Sequence, residues 1–199
     1  EDRRTTALLS SSVAFLKGLG VWDAIERDAA PLSTMRIIDA TGRLLRAPEL
    51  AFHASEIGLD AFGYNVANSV LLRELSAACE VTGHVTFIEG AVEGATFGEQ
   101  LQQVTLGDGS HLTANLVVGA DGRNSAIRRL SVAGAREWSY PQTALVLEFV
   151  HTLPHHDAST EFHTAEGPFT FVPLAPNRCG LVWVQQPQKA EDRMRWRTQ

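Results

Sequence analysis

Apolar positions change their spacing several times along the chain, and each change predicts a change of element. Between residues 6 and 19, Leu8, Phe15, Leu16 and Leu19 recur at helical spacing, and Gly20 stands where a helix C-cap falls. A second short helical turn is predicted in "VWDAIERDAA", interrupted by Pro31. The pattern then shifts to period two: "STMRIIDATGRLLRAP" reads as two strands joined at Ala40, Thr41 and Gly42. Residues 49–63 hold neither period and read as loop or irregular strand. Helical spacing returns in "NSVLLRELSAACEVTG", where Leu71, Leu72, Leu75, Ala78 and Cys79 form a stripe, Asn68 or Ser69 is the N-cap, and Gly83 follows the end.

Short strands are predicted next in "HVTFIEG", "AVEGATF" and "LQQVTLGDGSHLTA", the last folded around Gly107, Asp108 and Gly109. "NLVVGA" is a continuous apolar run of the kind found in buried parallel strands, and a helix follows over residues 125–129. Beyond it the pattern is all-β, with strands in "TALVLEFV", "STEFHT", "FTFVPL" and "RCGLVWVQQ", punctuated by prolines. The last stretch, "KAEDRMRWRTQ", shows no evident capping element. The whole reads as α/β: a region of helices and buried parallel strand interleaved with antiparallel strands, the chain crossing between them more than once.

Composition narrows the function classes. With 199 residues, 44% apolar and 20% charged, the chain has material for a real core and is not a disordered polymer. A net charge of -6 without any Lys/Arg cluster argues against a nucleic-acid partner. No apolar run approaches the roughly 20 residues needed to cross a bilayer, and nothing at the amino end resembles a signal peptide, so the expected location is cytoplasmic. The two cysteines, Cys79 and Cys179, are far apart in sequence and read as reduced core residues.

The residues that carry chemistry centre on "LVVGADGRNSAIRRL". Asp121 and Gly122 fall just beyond the carboxyl end of the predicted buried strand, where open α/β sheets bind ligands. Two readings fit that spacing. Asp121 closes a turn or caps the following helix, or its carboxylate accepts hydrogen bonds from ribose-like hydroxyls while Gly119 and Gly122 let the backbone approach a bulky ligand. Other features point away from chemistry. Pro154 breaks any helix that would gather His151, His155, His156 and Asp157 into a metal site, so no metal is expected. Ser10 to Ser12 lack a nucleophile elbow and no Cys/His pair is suggestively placed. Phe171 and Trp183 read as sheet core.

The run "VVGADGRNSAIRR" resembles the Gly-Ala-Asp-Gly-x-x-Ser-x-x-Arg motif of the flavin-dependent aromatic hydroxylases, the family that includes para-hydroxybenzoate hydroxylase. "DRRTTALLSSSVAFLKGLGVWD" resembles the Asp-x-Arg segment and helix of its ubiquinone-biosynthesis branch, and "EFHTAEGPFTFVPLAPNRCGLVW" is similar to that branch's Gly-Pro…Pro-Leu strand region. The resemblance spans nearly the whole chain. It implies that Asp121 binds the ribityl or ribose side of FAD, with Gly119 and Gly122 giving close approach. Arg128 would order the loop or form a surface ion pair. Arg4, or its neighbour Arg3, would face FAD phosphate or the flavin edge, and Asn68 would contact flavin or cap its helix. Residues 1–33 and 65–133 would be part of an FAD-binding domain, and residues 34–64 and 134–199 a substrate-binding β-sheet domain.

The implied reaction uses a nicotinamide reductant, NAD(P)H, and O2 to hydroxylate an electron-rich ring through a flavin hydroperoxide. The implied substrate is a polyprenylated phenol of ubiquinone biosynthesis, which adds contact with a membrane surface. A hydroxylase of a small soluble phenol, or a non-catalytic module of a quinone-synthesis complex, shares the same motifs. No residue emerges as a general base. The family's Gly-x-Gly-x-x-Gly turn and its later Gly-Asp motif are not in the sequence, so the chain is expected to be the middle of a roughly 400-residue enzyme. Alone it is expected to hold FAD poorly, and the unpaired edge beside "NLVVGA" is expected to favour homo-oligomers.

Overall fold

The computed structural model describes residues 4–131, 134–174 and 176–195 as a mixed α/β chain with several sheets. Its contacts form two compact units. One comprises the chain up to His84 together with everything from Tyr140 on; the other is Val85–Ser139.

The first unit begins with β1 (Thr5–Leu9), α1 (Ser10–Gly18), α2 (Trp22–Glu26), β2 (Ala30–Pro31), β3 (Thr34–Ala40), β4 (Leu50–His53), β5 (Gly63–Ala67) and α3 (Asn68–Val81). Helical spacing misplaces the start of the first helix: residues 5–9 form a strand, because β5 offers them an antiparallel partner, pairing Thr6 with Val66 and Leu8 with Tyr64. Contact is so close that a Cβ on Gly63 would lie 2.1 Å from the Leu8 carbonyl oxygen. Strands β1, β5 and β2 make a three-stranded sheet. Against it pack Val13 and Leu16 of α1, Trp22 and Ile25 of α2, and Val70 of α3, with Trp22 edge-on to Tyr64 at 5.0 Å. The expected stripes are narrower than their spacing suggests, since Phe15, Leu19 and Leu72 are exposed. Gly20 closes α1 as expected, its N–H donating to the Lys17 carbonyl from a left-handed φ of 71°.

The second unit is built on β6 (Val92–Phe97), β7 (Gln102–Leu106) and β8 (His111–Ala114), a meander turning at Gly109, followed by α4 (Ala126–Leu130). Two expected strands are not formed. Residues 84–90 and 115–120 join no ladder among the described residues, and Phe87, Ile88, Leu116 and Val118 are exposed. The predicted buried parallel strand at 115–120 is therefore corrected to exposed coil. Apolar composition supplies the side chains of such a strand but not its partner, and a strand exists only as half of a ladder.

The first unit resumes with β9 (Thr143–Val150), β10 (Ala158–Thr164), β11 (Gly167–Pro173), β12 (Arg178–Gln185) and α5 (Pro187–Arg195). These strands match the expected all-β region and join β3 and β4 in a six-stranded sheet, ordered β4-β3-β10-β11-β12-β9. The β3–β10 pair is parallel and the remaining pairs are antiparallel. The hairpin expected around Ala40 is longer than predicted: "GRLLRAP" is loop and its return strand is β4. Helix α5 has no counterpart in the sequence reading. Pro187 at its first position costs no hydrogen bond, and Glu166 accepts from Lys189 Nζ at 2.7 Å and Arg193 Nη2 at 2.9 Å. The Arg193 guanidinium also stacks 3.8 Å from the Trp183 ring centre.

Candidate functional site

In the second unit the motif turn is shaped by Asp121 and Ser125. Asp121 Oδ2 accepts from the Ala126 N–H at 2.6 Å and the Ile127 N–H at 3.3 Å. Ser125 caps α4, its Oγ accepting from the Arg128 N–H at 2.9 Å. The Ser125 hydroxyl, then the backbone N–H groups of Ile127 and Ala126, hold the Asp121 carboxyl at about 2, below its ordinary 3.8. Asp121 thus closes the turn as an exposed, fully ionised carboxylate.

The neighbouring residues have equally local reasons. A Cβ on Gly119 would meet Ile127 Cβ and Cγ2 at 3.0 Å, so glycine lets the turn lie against α4. Gly122 adopts φ 80° with open space on its Cβ side. Arg128 reaches back to the Arg123 carbonyl at 2.7 Å and approaches Glu137 at 3.4 Å, so it orders the loop and forms a surface ion pair at once. Arg129 does likewise with the Asn124 carbonyl.

Arg4 and Asn68 lie in the first unit, where they are brought together: the Asn68 N–H donates to the Arg4 carbonyl at 3.0 Å. Thr6 Oγ1 donates to Asn68 Oδ1 at 2.7 Å. Neither Asn68 nor Ser69 is the N-cap. That position belongs to Ala67, without a side-chain cap, because Asn68 is already helical and its amide oxygen is engaged by β1. Arg3, and the aspartate of the Asp-x-Arg segment, lie outside the described residues.

Two groupings escaped the sequence. Asn65, 1% exposed, donates from Nδ2 to the Pro173 carbonyl at 2.8 Å and so ties β5 to the end of β11. Its signal is a polar residue at a buried position of "GYNVA". His151 and Cys179 form a Cys/His pair, Nε2 to Sγ 3.3 Å, because the β9–β12 register sets Cys179 beside Phe149. His151 Nδ1 lies 2.6 Å from the Leu153 carbonyl, so that nitrogen carries the proton and Nε2 accepts from the thiol. Burial pushes the Cys179 thiol up, which favours the protonated form that donates the hydrogen bond. Among the described residues no group of three His, Cys, Asp or Glu is placed to hold a metal.

The face of the six-stranded sheet carrying Phe149, Phe162, Phe169, Phe171 and Trp183 is a chain of edge-to-face aromatic contacts, ring centres 4.8–5.8 Å apart. Alternation along β10, β11 and β12 puts these rings on one side. At the loop ends of that sheet an open cavity of about 600 Å³ is lined by Arg27, His155, His156, Asp157, Leu174 and Asn177 among others. His156, Asp157 and Asn177 all have positive φ. The Asp157 carbonyl accepts from the N–H groups of Ser33 and Thr34.

No protein-family model matches the chain. It is similar to the 3-demethoxyubiquinol 3-hydroxylase of Escherichia coli (strain K12), 33% identical over 189 residues, covering 94% of this chain and 47% of that protein. It is also similar to the ubiquinone hydroxylase UbiL of Rhodospirillum rubrum, 28% identical over 193 residues, covering 93% of this chain and 42% of that one. The chain spans about half the length of the curated relatives it matches. Its fold is shared with HpxO of Klebsiella pneumoniae, solved with FAD and uric acid, at a TM-score of 0.72 and 20% identity over 92% of this chain and 47% of that one.

Proposed function

We infer from these similarities that the chain is a member of the flavin-dependent aromatic hydroxylases of ubiquinone biosynthesis. We propose that the whole protein is an FAD- and NAD(P)H-dependent monooxygenase acting with O2 on a polyprenylated phenol. The observation that carries the reading is the turn from Gly119 to Arg128, in which Gly119, Ser125 and Arg128 each have a defined task around the exposed carboxylate of Asp121.

The residues present fit the cofactor. Asp121 is an ionised acceptor at the surface, and Gly122 beside it has open space where a side chain would stand. Asp121 would accept from sugar hydroxyls of FAD, with Gly119 and Gly122 keeping the backbone clear. Arg4 and Asn68 are further proposed contacts, assigned by chemistry: a guanidinium suits an anionic group, an amide a polar ring edge. FAD, when bound, supplies the oxygen-transfer chemistry. The chain's own part is to bind, orient and exclude water. On this reading residues 1–33 and 65–133 serve the cofactor and residues 34–64 and 134–199 the substrate. The aromatic face of β10–β12 stacks on the ring and seats an apolar tail.

A tailed substrate adds a membrane surface as partner. We propose peripheral contact from the cytoplasmic side, through the tail of the substrate; among the described residues no helix is long and apolar enough to cross a bilayer. We also propose self-association through the apolar segments 84–90 and 115–120. Flavin absorbance of the purified full-length protein tests the core of the reading. Bound or reconstitutable FAD is expected, and a protein that takes up none removes the enzyme assignment. Turnover of prenylated against unprenylated phenols decides the substrate, and a preference for the short phenol replaces the ubiquinone reading with that of a soluble-phenol hydroxylase.

A further inference from the structure

The loop between β3 and β4 carries the most exposed leucines of the described residues. Leu44 is 101% exposed and Leu45 88%, side by side at the tip, and Arg43 and Arg46 flank them. Leucines so placed have no apolar partner among the described residues. The loop is nevertheless built, not slack. Asp39 Oδ1 accepts from the Thr41 N–H at 3.0 Å and from Thr41 Oγ1 at 2.7 Å, and Asp39 Oδ2 accepts from the Ala47 N–H at 3.0 Å. Arg36 and Glu49 close the base with an ion pair of 2.6 Å. Both nearby acids are thus engaged at the base, and neither Arg43 nor Arg46 holds an ion pair among the described residues. Gly42, at φ 74°, turns the chain outward.

The hairpin below the loop carries apolar side chains of its own. Register pairs Met35 with Phe52 and Ile37 with Leu50, which places these four on one face of the edge hairpin. Met35, Phe52 and Leu50 are 44%, 46% and 50% exposed. An apolar tip bracketed by two cations, on a chain whose net charge is -6, is complementary to an anionic lipid surface: leucines enter the acyl boundary and guanidinium groups meet phosphates.

We propose that Arg43-Leu44-Leu45-Arg46 is the contact of this protein with an anionic lipid bilayer. The assignment gives the membrane contact proposed above its surface and rests on that part of the reading. Vesicle binding is measured without turnover, so a negative result overturns the tip, whereas FAD uptake separately decides the flavin chemistry.

The test is co-sedimentation of the full-length protein with phosphatidylglycerol-containing vesicles and with phosphatidylcholine-only vesicles. Wild type is expected on the anionic vesicles and released by high salt. L44S/L45S is expected to weaken the partition by roughly tenfold or more, and R43Q/R46Q by about fivefold per arginine, with melting temperature and flavin content unchanged in both. Equal binding to both vesicle types, wild-type binding by L44S/L45S, or no vesicle binding at all overturns the proposal. So does a double variant that loses a co-purifying protein while keeping its vesicles, because the tip then serves a protein partner.

Discussion

Asp39 and Asp121 occupy unrelated turns yet have the same physical chemistry. Each is an ionised carboxylate, Asp39 half-buried and Asp121 exposed, that accepts from two backbone N–H groups and a hydroxyl, Thr41 for one and Ser125 for the other, and each is held at about 2. Only Asp121 lies in a run that resembles a flavin motif. A perturbed carboxylate therefore identifies a well-made turn, and its ionisation does not distinguish a ligand-binding role from a structural one. What separates the two is the surroundings. The Asp39 turn is a loop base leading to leucines, while the Asp121 turn is pressed against a helix by Gly119.

The largest expected difference between the two is in cofactor binding. In the full-length protein Asp121→Ala should weaken FAD by about tenfold or more, the loss of a charge-assisted acceptor, and Asp39→Ala should leave it within about twofold; fluorescence titration with FAD measures both. Equal losses would erase the distinction. Gly119→Ala comes next. Its Cβ meets Ile127 at 3.0 Å, so overpacking should cost about 1–3 kcal/mol in urea unfolding of the second unit.

Gly122→Ala and Gly42→Ala sharpen the likeness between the turns. Both glycines have positive φ and open space, so each substitution should cost about 1–2 kcal/mol from backbone strain alone. A clearly larger cost at Gly122 would mean that its turn is under some further constraint. Ser125→Ala removes the cap of α4 and should cost about 1 kcal/mol, seen as faster hydrogen exchange at the Arg128 amide.

The smallest effect is that of pH. Both carboxyls are depressed in the folded chain, from 3.8 to about 2. Their stabilisation is therefore present above the ordinary carboxylate range and lost as pH falls from about 4 toward 2. Urea midpoints over that window should fall less steeply in D39N/D121N than in wild type. An unchanged slope would show that neither turn is felt by the global transition.

Legibility in the sequence followed the range of the interaction. The motif turn, the hairpin of β7 and β8 and the four strands β9–β12 were readable because period and turn residues act over a few positions. Helix α3 was readable for the same reason, though its cap was not, since Asn68 is engaged by Thr6 from a distant strand. Helical spacing extends over residues 6–9 because nothing local announces β5. The segments 84–90 and 115–120 carry strand-like composition without a partner. The pattern predicts strand at Leu44 and Leu45 because the alternation that marks a half-buried strand does not say whether anything covers it. In the candidate site, Asp121, Gly119 and Gly122 were recognisable as residues of one motif, while Asn65 and the His151–Cys179 pair depended on sheet register, which spacing alone does not supply.

The parallel pairing of β3 with β10 has a consequence for how the chain reaches its fold. Thr34 meets Ala158 and Ala40 meets Thr164, with the whole of the second unit lying between them in sequence. On a ribosome the second unit is complete before β10 emerges, whereas β3 and β4 wait as a lone hairpin for the strands that will continue their sheet. Closing so long a loop is slow. During that interval the hairpin's open edge is the surface most exposed to premature association, so nascent chains stalled between residues 140 and 157 should be the ones that most require a chaperone.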